Sequence, residues 1–100
     1  MHLVFRNSDY VRLYEEDEGP IRRKFPNQVI EEFFAACAEF VAADDERDIR
    51  ALRSRRLEQV PRECEGCYSI RLNRQFRLII VFALVDHQKT VEVVDIRDYH

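Results

Sequence analysis

No stretch of the chain holds the run of about 18 apolar residues that a membrane-spanning helix needs. The first residues also lack the basic-then-apolar pattern of an export signal, so a soluble cytoplasmic protein is expected. Repeats, low-complexity tracts and interdomain linkers are missing too. With 100 residues, the chain is expected to form one domain, residues 1–100, around one core. Cysteine is scarce: only Cys37, Cys64 and Cys67 are present. An odd count without an export signal argues against a disulfide framework. The "CEGC" at 64–67 has metal or redox spacing, but no second CxxC or His-x-His cluster completes a zinc site. It also runs into a strand, whereas a thioredoxin-like motif opens a helix. The expectation is therefore a turn holding Gly66 with Cys67 beginning a strand, and neither metal nor cofactor. A metal-binding interaction module is the least favoured alternative.

Lysine is nearly absent, since 14 of the 16 basic residues are arginine. Arginine is the side chain suited to bidentate phosphate contact, although a GC-rich genome produces the same bias. The net charge of −3 disfavours a general nucleic-acid binder, but the charge is unevenly spread. Residues 1–50 carry 7 basic and 12 acidic side chains, and residues 51–100 carry 9 basic and 7 acidic. Between residues 53 and 77 seven arginines face three glutamates.

Apolar residues at 46%, with seven phenylalanines, suit a compact globule. Residues 1–6 read as a short strand. Ser8 can cap a following helix in which Tyr10, Leu13 and Tyr14 share a face. "EEDEGP" ends that helix at Gly19 and Pro20 and leaves a solvated acidic loop at 15–18. A longer helix is expected over about residues 26–43, where Val29, Ile30, Phe33, Phe34, Cys37, Phe40 and Val41 recur at helical spacing. Cys37 lies in that stripe as a small apolar core residue. "DDERDIRAL" reads as one or two further helical turns, and "SRRLEQV" as a strand. "CYSIRL", "QFRLIIVFALV" and "KTVEVVDIR" follow as three strands, with "DHQK", and so His87, in a turn. The fold expected is α+β: a small antiparallel sheet of about five strands with two N-terminal helices on one face.

The hairpin between "CYSIRL" and "QFRLIIVF" makes a sharper prediction. A three-residue loop (Asn73, Arg74, Gln75) pairs Leu72 with Phe76, Ile70 with Leu78 and Tyr68 with Ile80. That register puts an unbroken apolar row on the buried face. It also sets Arg71 opposite Arg77 on the other face, where like charges need something negative between them. Glu92, Asp95 or Asp98 from the last strand can fill that need, and so can a bound phosphate.

"RLEQVPRECEGCYSIRLNRQFRLIIVF" followed by a terminal "DYH" resembles the RelE/ParE superfamily of toxins from type II toxin–antitoxin systems, most closely its HigB-like branch, the plasmid maintenance killer proteins. The resemblance covers nearly the whole chain. It implies a ribosome-dependent mRNA endonuclease, metal-independent and acting through the RNA 2′-hydroxyl. It implies as partners the ribosome, mRNA and a helix-turn-helix antitoxin of the HigA type. By position, His100 and Tyr99 take the acid–base roles and Arg77 holds the phosphate. Arg71 joins them on the hairpin geometry, with Arg74, Arg62 and Arg56 as further RNA contacts. Arg53, Arg55 and Arg56 either line an RNA-facing rim or form the wet side of a strand and helix end.

The chain departs from the family pattern before "YSI". In place of a basic, glycine-containing loop like "LKGDRKG" stands "VPRECEG". Pro61 falls where the family has a catalytic lysine, and Glu58 where it has a histidine. These departures, with the acidic total and "CEGC", keep open a second reading: a non-nuclease member, either a ParE-like gyrase-binding toxin or a degenerate toxin that only binds an antitoxin. The intact "DYH" favours the nuclease.

Overall fold

The computed structural model describes residues 1–99. In chain order the elements are β1 (His2–Phe5), α1 (Ser8–Glu16), α2 (Pro20–Lys24), α3 (Asn27–Ala42) and α4 (Glu46–Arg50). A 3₁₀ turn (Arg53–Arg55) follows, then β2 (Glu58–Gln59), β3 (Cys67–Arg71), β4 (Phe76–Val85) and β5 (Gln88–Asp98). The fold is α+β, as expected, with five strands in the order β1-β5-β4-β3-β2. Three pairings are antiparallel, but β1 lies parallel to β5, with Leu3 opposite Val91. The sheet is therefore mixed. Hydrophobic alternation fixes which face of a strand is buried, not which neighbour it takes or in which sense.

Several local expectations shift by one signal. Asn7, not Ser8, caps α1: its side-chain oxygen accepts the Asp9 N–H at 2.8 Å. The acidic loop is shorter than expected, because α1 runs on through Glu16 and ends at Asp17 in a left-handed backbone (φ 54°); Pro20 opens the extra helix α2, its fixed φ suiting a first turn. "SRRLEQV" is a strand only at Glu58 and Gln59, because Arg56 takes a left-handed backbone (φ 49°) that no strand accommodates. The β4–β5 turn is the two-residue loop Asp86–His87, with both residues at positive φ, which matches the twist of the flanking strands.

The core lies between α3, α1 and one face of the sheet. Phe33, Phe40, Val29 and Ile30 of α3 and Leu13 of α1 meet Ile70, Leu78, Ile80, Val91 and Val93. Cys37 is buried among them, and burial pushes its thiol up to about 12. On β5 the buried residues Val91, Val93 and Ile96 do not keep a strict two-residue spacing. A bulge reconciles them: Ile80 pairs with Val93 and Ile79 with Asp95, leaving Val94 without an opposite residue. The extra residue turns Ile96 into the core and brings Arg97 out beside Arg77 on the opposite face.

Tyr10 closes the open edge of β5 beyond β1. It is 2% exposed, and its hydroxyl accepts the buried Ile96 N–H at 2.8 Å. Tyr10→Phe should therefore cost about 1–2 kcal/mol in denaturant unfolding, since it leaves a buried amide without a partner. Burial also raises the Tyr10 phenol from 10.0 to about 12. Below pH 10 folded and unfolded states both keep that proton. Above it the unfolded chain ionises first, so the Tyr10 contribution is lost between pH 10 and 12. The phenylalanine variant should lack this part of the alkaline loss.

Candidate functional site

The predicted hairpin register is the observed one: Arg71 stands opposite Arg77, Ile70 opposite Leu78 and Tyr68 opposite Ile80. Asn73 holds the three-residue loop closed, its side-chain oxygen accepting the N–H groups of Gln75 (2.8 Å) and Phe76 (2.7 Å). Because of the β5 bulge, Arg97 extends the row on the other side of Arg77. Three arginines thus cross three strands on the face away from the helices.

Each guanidinium is managed differently. Arg97 bonds Asp95 at 3.0 Å and approaches Glu63 at 3.5 Å. Arg71 donates through Nε to the Asn73 carbonyl at 3.3 Å. Arg77 is aimed by neutral acceptors: Nε donates to Ser69 Oγ at 2.7 Å, and Nη2 donates to the carbonyls of Ser69 and Arg56. The left-handed turn at Arg56 presents that carbonyl. Loss of water on burial lowers the Arg77 pKa, with nearby Glu58 opposing the shift, and a guanidinium there stays cationic. Of the three predicted neutralisers, Glu92 bonds Arg6 at 2.8 Å, Asp95 bonds Arg97, and Asp98 accepts from Gln75 at 3.0 Å.

Arg77 and Arg71 open onto a cleft of about 350 Å³ lined also by Arg56, Glu58, Asn73, Arg74 and Tyr99. Five of the residues singled out in the sequence, Arg56, Arg71, Arg74, Arg77 and Tyr99, therefore meet in one place. Tyr99 is tied at two points: its N–H donates to the Gln75 carbonyl at 2.7 Å and its hydroxyl to Glu63 Oε1 at 2.9 Å. Burial and the Glu63 carboxylate both raise its pKa. His100 lies outside the described residues.

Arg62 does not line the cleft. It is exposed on the β2–β3 loop, whose turn at Val60–Glu63 brings Glu63, not Arg62, to Tyr99. Arg55 is not a rim residue either. It is 7% exposed and bonds Glu39 (2.7 and 3.0 Å), Glu32 (3.0 Å) and the Arg71 carbonyl (3.1 Å). The argument against disulfides from the odd cysteine count is corrected as well: Cys64 and Cys67 form a bridge across the expected turn, with Cα atoms 5.2 Å apart. Gly66 in that turn takes φ 75°. Ser69 and Glu58 are among the residues that the sequence did not assign to the site. Ser69 is fully buried on the arginine face with Arg77 as its partner, and its signal was a small hydroxyl two positions before Arg71. Glu58 read as a departure from a family pattern, yet it is the carboxylate that lines the cleft.

Comparison with known proteins agrees with the fold. Residues 3–100 match the family described as "RelE-like toxin of type II toxin-antitoxin system HigB". Among solved structures, the YoeB/ParE toxin from Agrobacterium tumefaciens has a similar fold, with a TM-score of 0.59 at 16% sequence identity over 100% of both chains. A search of curated proteins returned no match. The chain belongs to the RelE-like HigB toxin family of type II toxin–antitoxin systems.

Proposed function

We propose that residues 1–100 are a single toxin domain that cuts mRNA on the ribosome without a metal, using the RNA 2′-hydroxyl as nucleophile. The observation that carries this reading is the convergence of four arginines, one carboxylate and one phenol on the same cleft. Such a reaction needs a proton acceptor for the 2′-hydroxyl, cations for the charge that builds on phosphorus, and a proton for the leaving 5′-oxygen. Glu58 takes the first proton. Arg77, aimed by Ser69 and the Arg56 carbonyl, holds the scissile phosphate with Arg71 beside it. Arg56 and Arg74 hold the phosphates on either side. Tyr99 and His100 serve the leaving oxygen, His100 because an imidazole titrates near neutrality. With Pro61 at the family's lysine position, the arginines alone balance the transition-state charge. A type II toxin implies a protein antitoxin, and we assign one of the HigA type; the working compartment is the cytoplasm.

The test is induction of wild type, Glu58→Gln and His100→Ala in a bacterial host, with mapping of mRNA 5′ ends. Wild type should create new ends at ribosome-occupied codons, and each variant should reduce them by a factor of about 10² or more. Growth arrest without new ends would move the protein to the gyrase-binding class. No arrest at all would mark a toxin that only binds its antitoxin.

A further inference from the structure

The phenol that the proposed reaction needs is already occupied. Tyr99 Oη has one proton and gives it to Glu63 at 2.9 Å. A phenol so engaged offers the cleft only lone pairs. Among the described residues, the charged groups that act on this hydroxyl are Glu63 from the β2–β3 loop, Arg77 from β4 and Arg97 from β5. Arg77 is committed to Ser69, whereas Arg97 bonds Asp95 at 3.0 Å and also approaches Glu63 at 3.5 Å.

Besides Arg97, the loop around Glu63 holds it there. Glu63 N–H donates to the Val60 carbonyl at 3.0 Å, Cys67 N–H to the Cys64 carbonyl at 3.1 Å, and Val60 N–H to the Cys67 carbonyl at 2.9 Å. The Cys64–Cys67 disulfide closes the second of these turns, and the first, which holds Glu63, ends at the residue before Cys64. Cys67 is anchored in β3 and buried, whereas Cys64 is partly exposed. A bridge with one partly exposed cysteine on a loop is a candidate for thiol exchange.

We propose that the Cys64–Cys67 disulfide is a redox-controlled clamp: oxidised, it keeps Glu63 on the Tyr99 hydroxyl and the site at rest; reduced, it releases Tyr99 to the cleft. This inference rests on the nuclease reading for its consequence, but not for the movement of Tyr99. The partner in the exchange is a dithiol reductant. One of its thiolates attacks Cys64 Sγ, the Cys64–Cys67 bond breaks and Cys67 leaves as a thiolate that takes up a proton. The reductant's second thiol then displaces Cys64 and becomes part of the reductant's own disulfide. Two electrons and two protons pass to the protein. Glu63 is thus a positioning residue, acting on the reaction only through Tyr99.

The test uses full-length protein labelled with 3-fluorotyrosine, with the Tyr99 resonance assigned by Tyr99→Phe and titrated with and without dithiothreitol. In the disulfide form Tyr99 should ionise above the ordinary tyrosine range. With dithiothreitol its resonance should shift and its ionisation should fall to that of Glu63→Ala, while the Tyr10 and Tyr14 signals stay in place. Cys64→Ser should match the reduced protein, and Glu63→Ala should be blind to the reductant. In parallel, ribosome-programmed mRNA cleavage should rise about tenfold on reduction, the scale of one committed hydrogen bond. An identical Tyr99 titration in the oxidised, reduced and Glu63→Ala proteins overturns the clamp. Measurable cleavage at one rate in both redox states overturns it too. A Tyr99 response with no cleavage by any form supports the clamp and sinks the nuclease reading instead.

Discussion

Arg77→Ala should lower mRNA cleavage by a factor on the order of 10²–10³, the loss that follows removal of one preorganised donor from a developing oxyanion. The size of the effect comes from how the side chain is fixed. Its Nε and Nη2 are spent on Ser69 and on two carbonyls, which hold the remaining N–H groups toward the cleft without further ordering. Arg77→Lys keeps the charge but cannot reproduce a planar fork on three acceptors, so it should recover only a small part of the rate. The same deletion leaves the buried Ser69 hydroxyl without its donor, at about 1–2 kcal/mol in unfolding. Measuring unfolding beside single-turnover cleavage separates the two. A rate loss of only a few fold in a stably folded variant would remove Arg77 from the reaction.

Arg55→Ala should produce the largest stability loss among the arginines, about 2–3 kcal/mol. Removing one partner of a buried ion pair costs about 3–5 kcal/mol, and here the cost is reduced because Glu32 and Glu39 are about a third exposed and regain water. For a chain of this length that corresponds to a fall in Tm of about 10–20 °C. The consequences reach the site. Arg55 ties the 3₁₀ turn to α3 and to the end of β3, and the next residue, Arg56, supplies both a cleft side chain and the carbonyl that orients Arg77. Arg55→Ala should therefore weaken cleavage even at temperatures where it remains folded. Arg53→Ala, which breaks no such contact, should leave the Tm within about 2 °C, the surface-substitution range.

The hairpin that carries the site was legible because two independent constraints met on it. Burial demanded one register for Leu72, Ile70 and Tyr68, and that register set Arg71 against Arg77. Helix α3 was legible for the same reason, a wide apolar stripe at one period. The placement of β1 was not, since a four-residue strand carries no signal for its neighbour or its sense. Arg97 was missed because the bulge at Val94 has no marker residue; the only trace is a three-residue step from Val93 to Ile96 where alternation allows two or four. Arg55 and Arg56 looked alike in sequence, and only the acidic face of α3, through Glu32 and Glu39, separates a buried tie from a cleft residue. The disulfide is not legible in the odd cysteine count, which concerns the whole chain; only the spacing within "CEGC" is compatible with a local bridge.

The end groups of the cut RNA decide whether its 2′-hydroxyl is the nucleophile. Purified protein would be added to ribosomes programmed with a defined mRNA, and the fragments separated and their termini identified. Attack by the 2′-hydroxyl requires a 5′-hydroxyl on the downstream fragment and a 2′,3′-cyclic phosphate on the upstream one, both strongly reduced with Glu58→Gln and Arg77→Ala. Downstream fragments that begin with a 5′-phosphate, or mRNA left intact by protein that still arrests growth, would contradict the account.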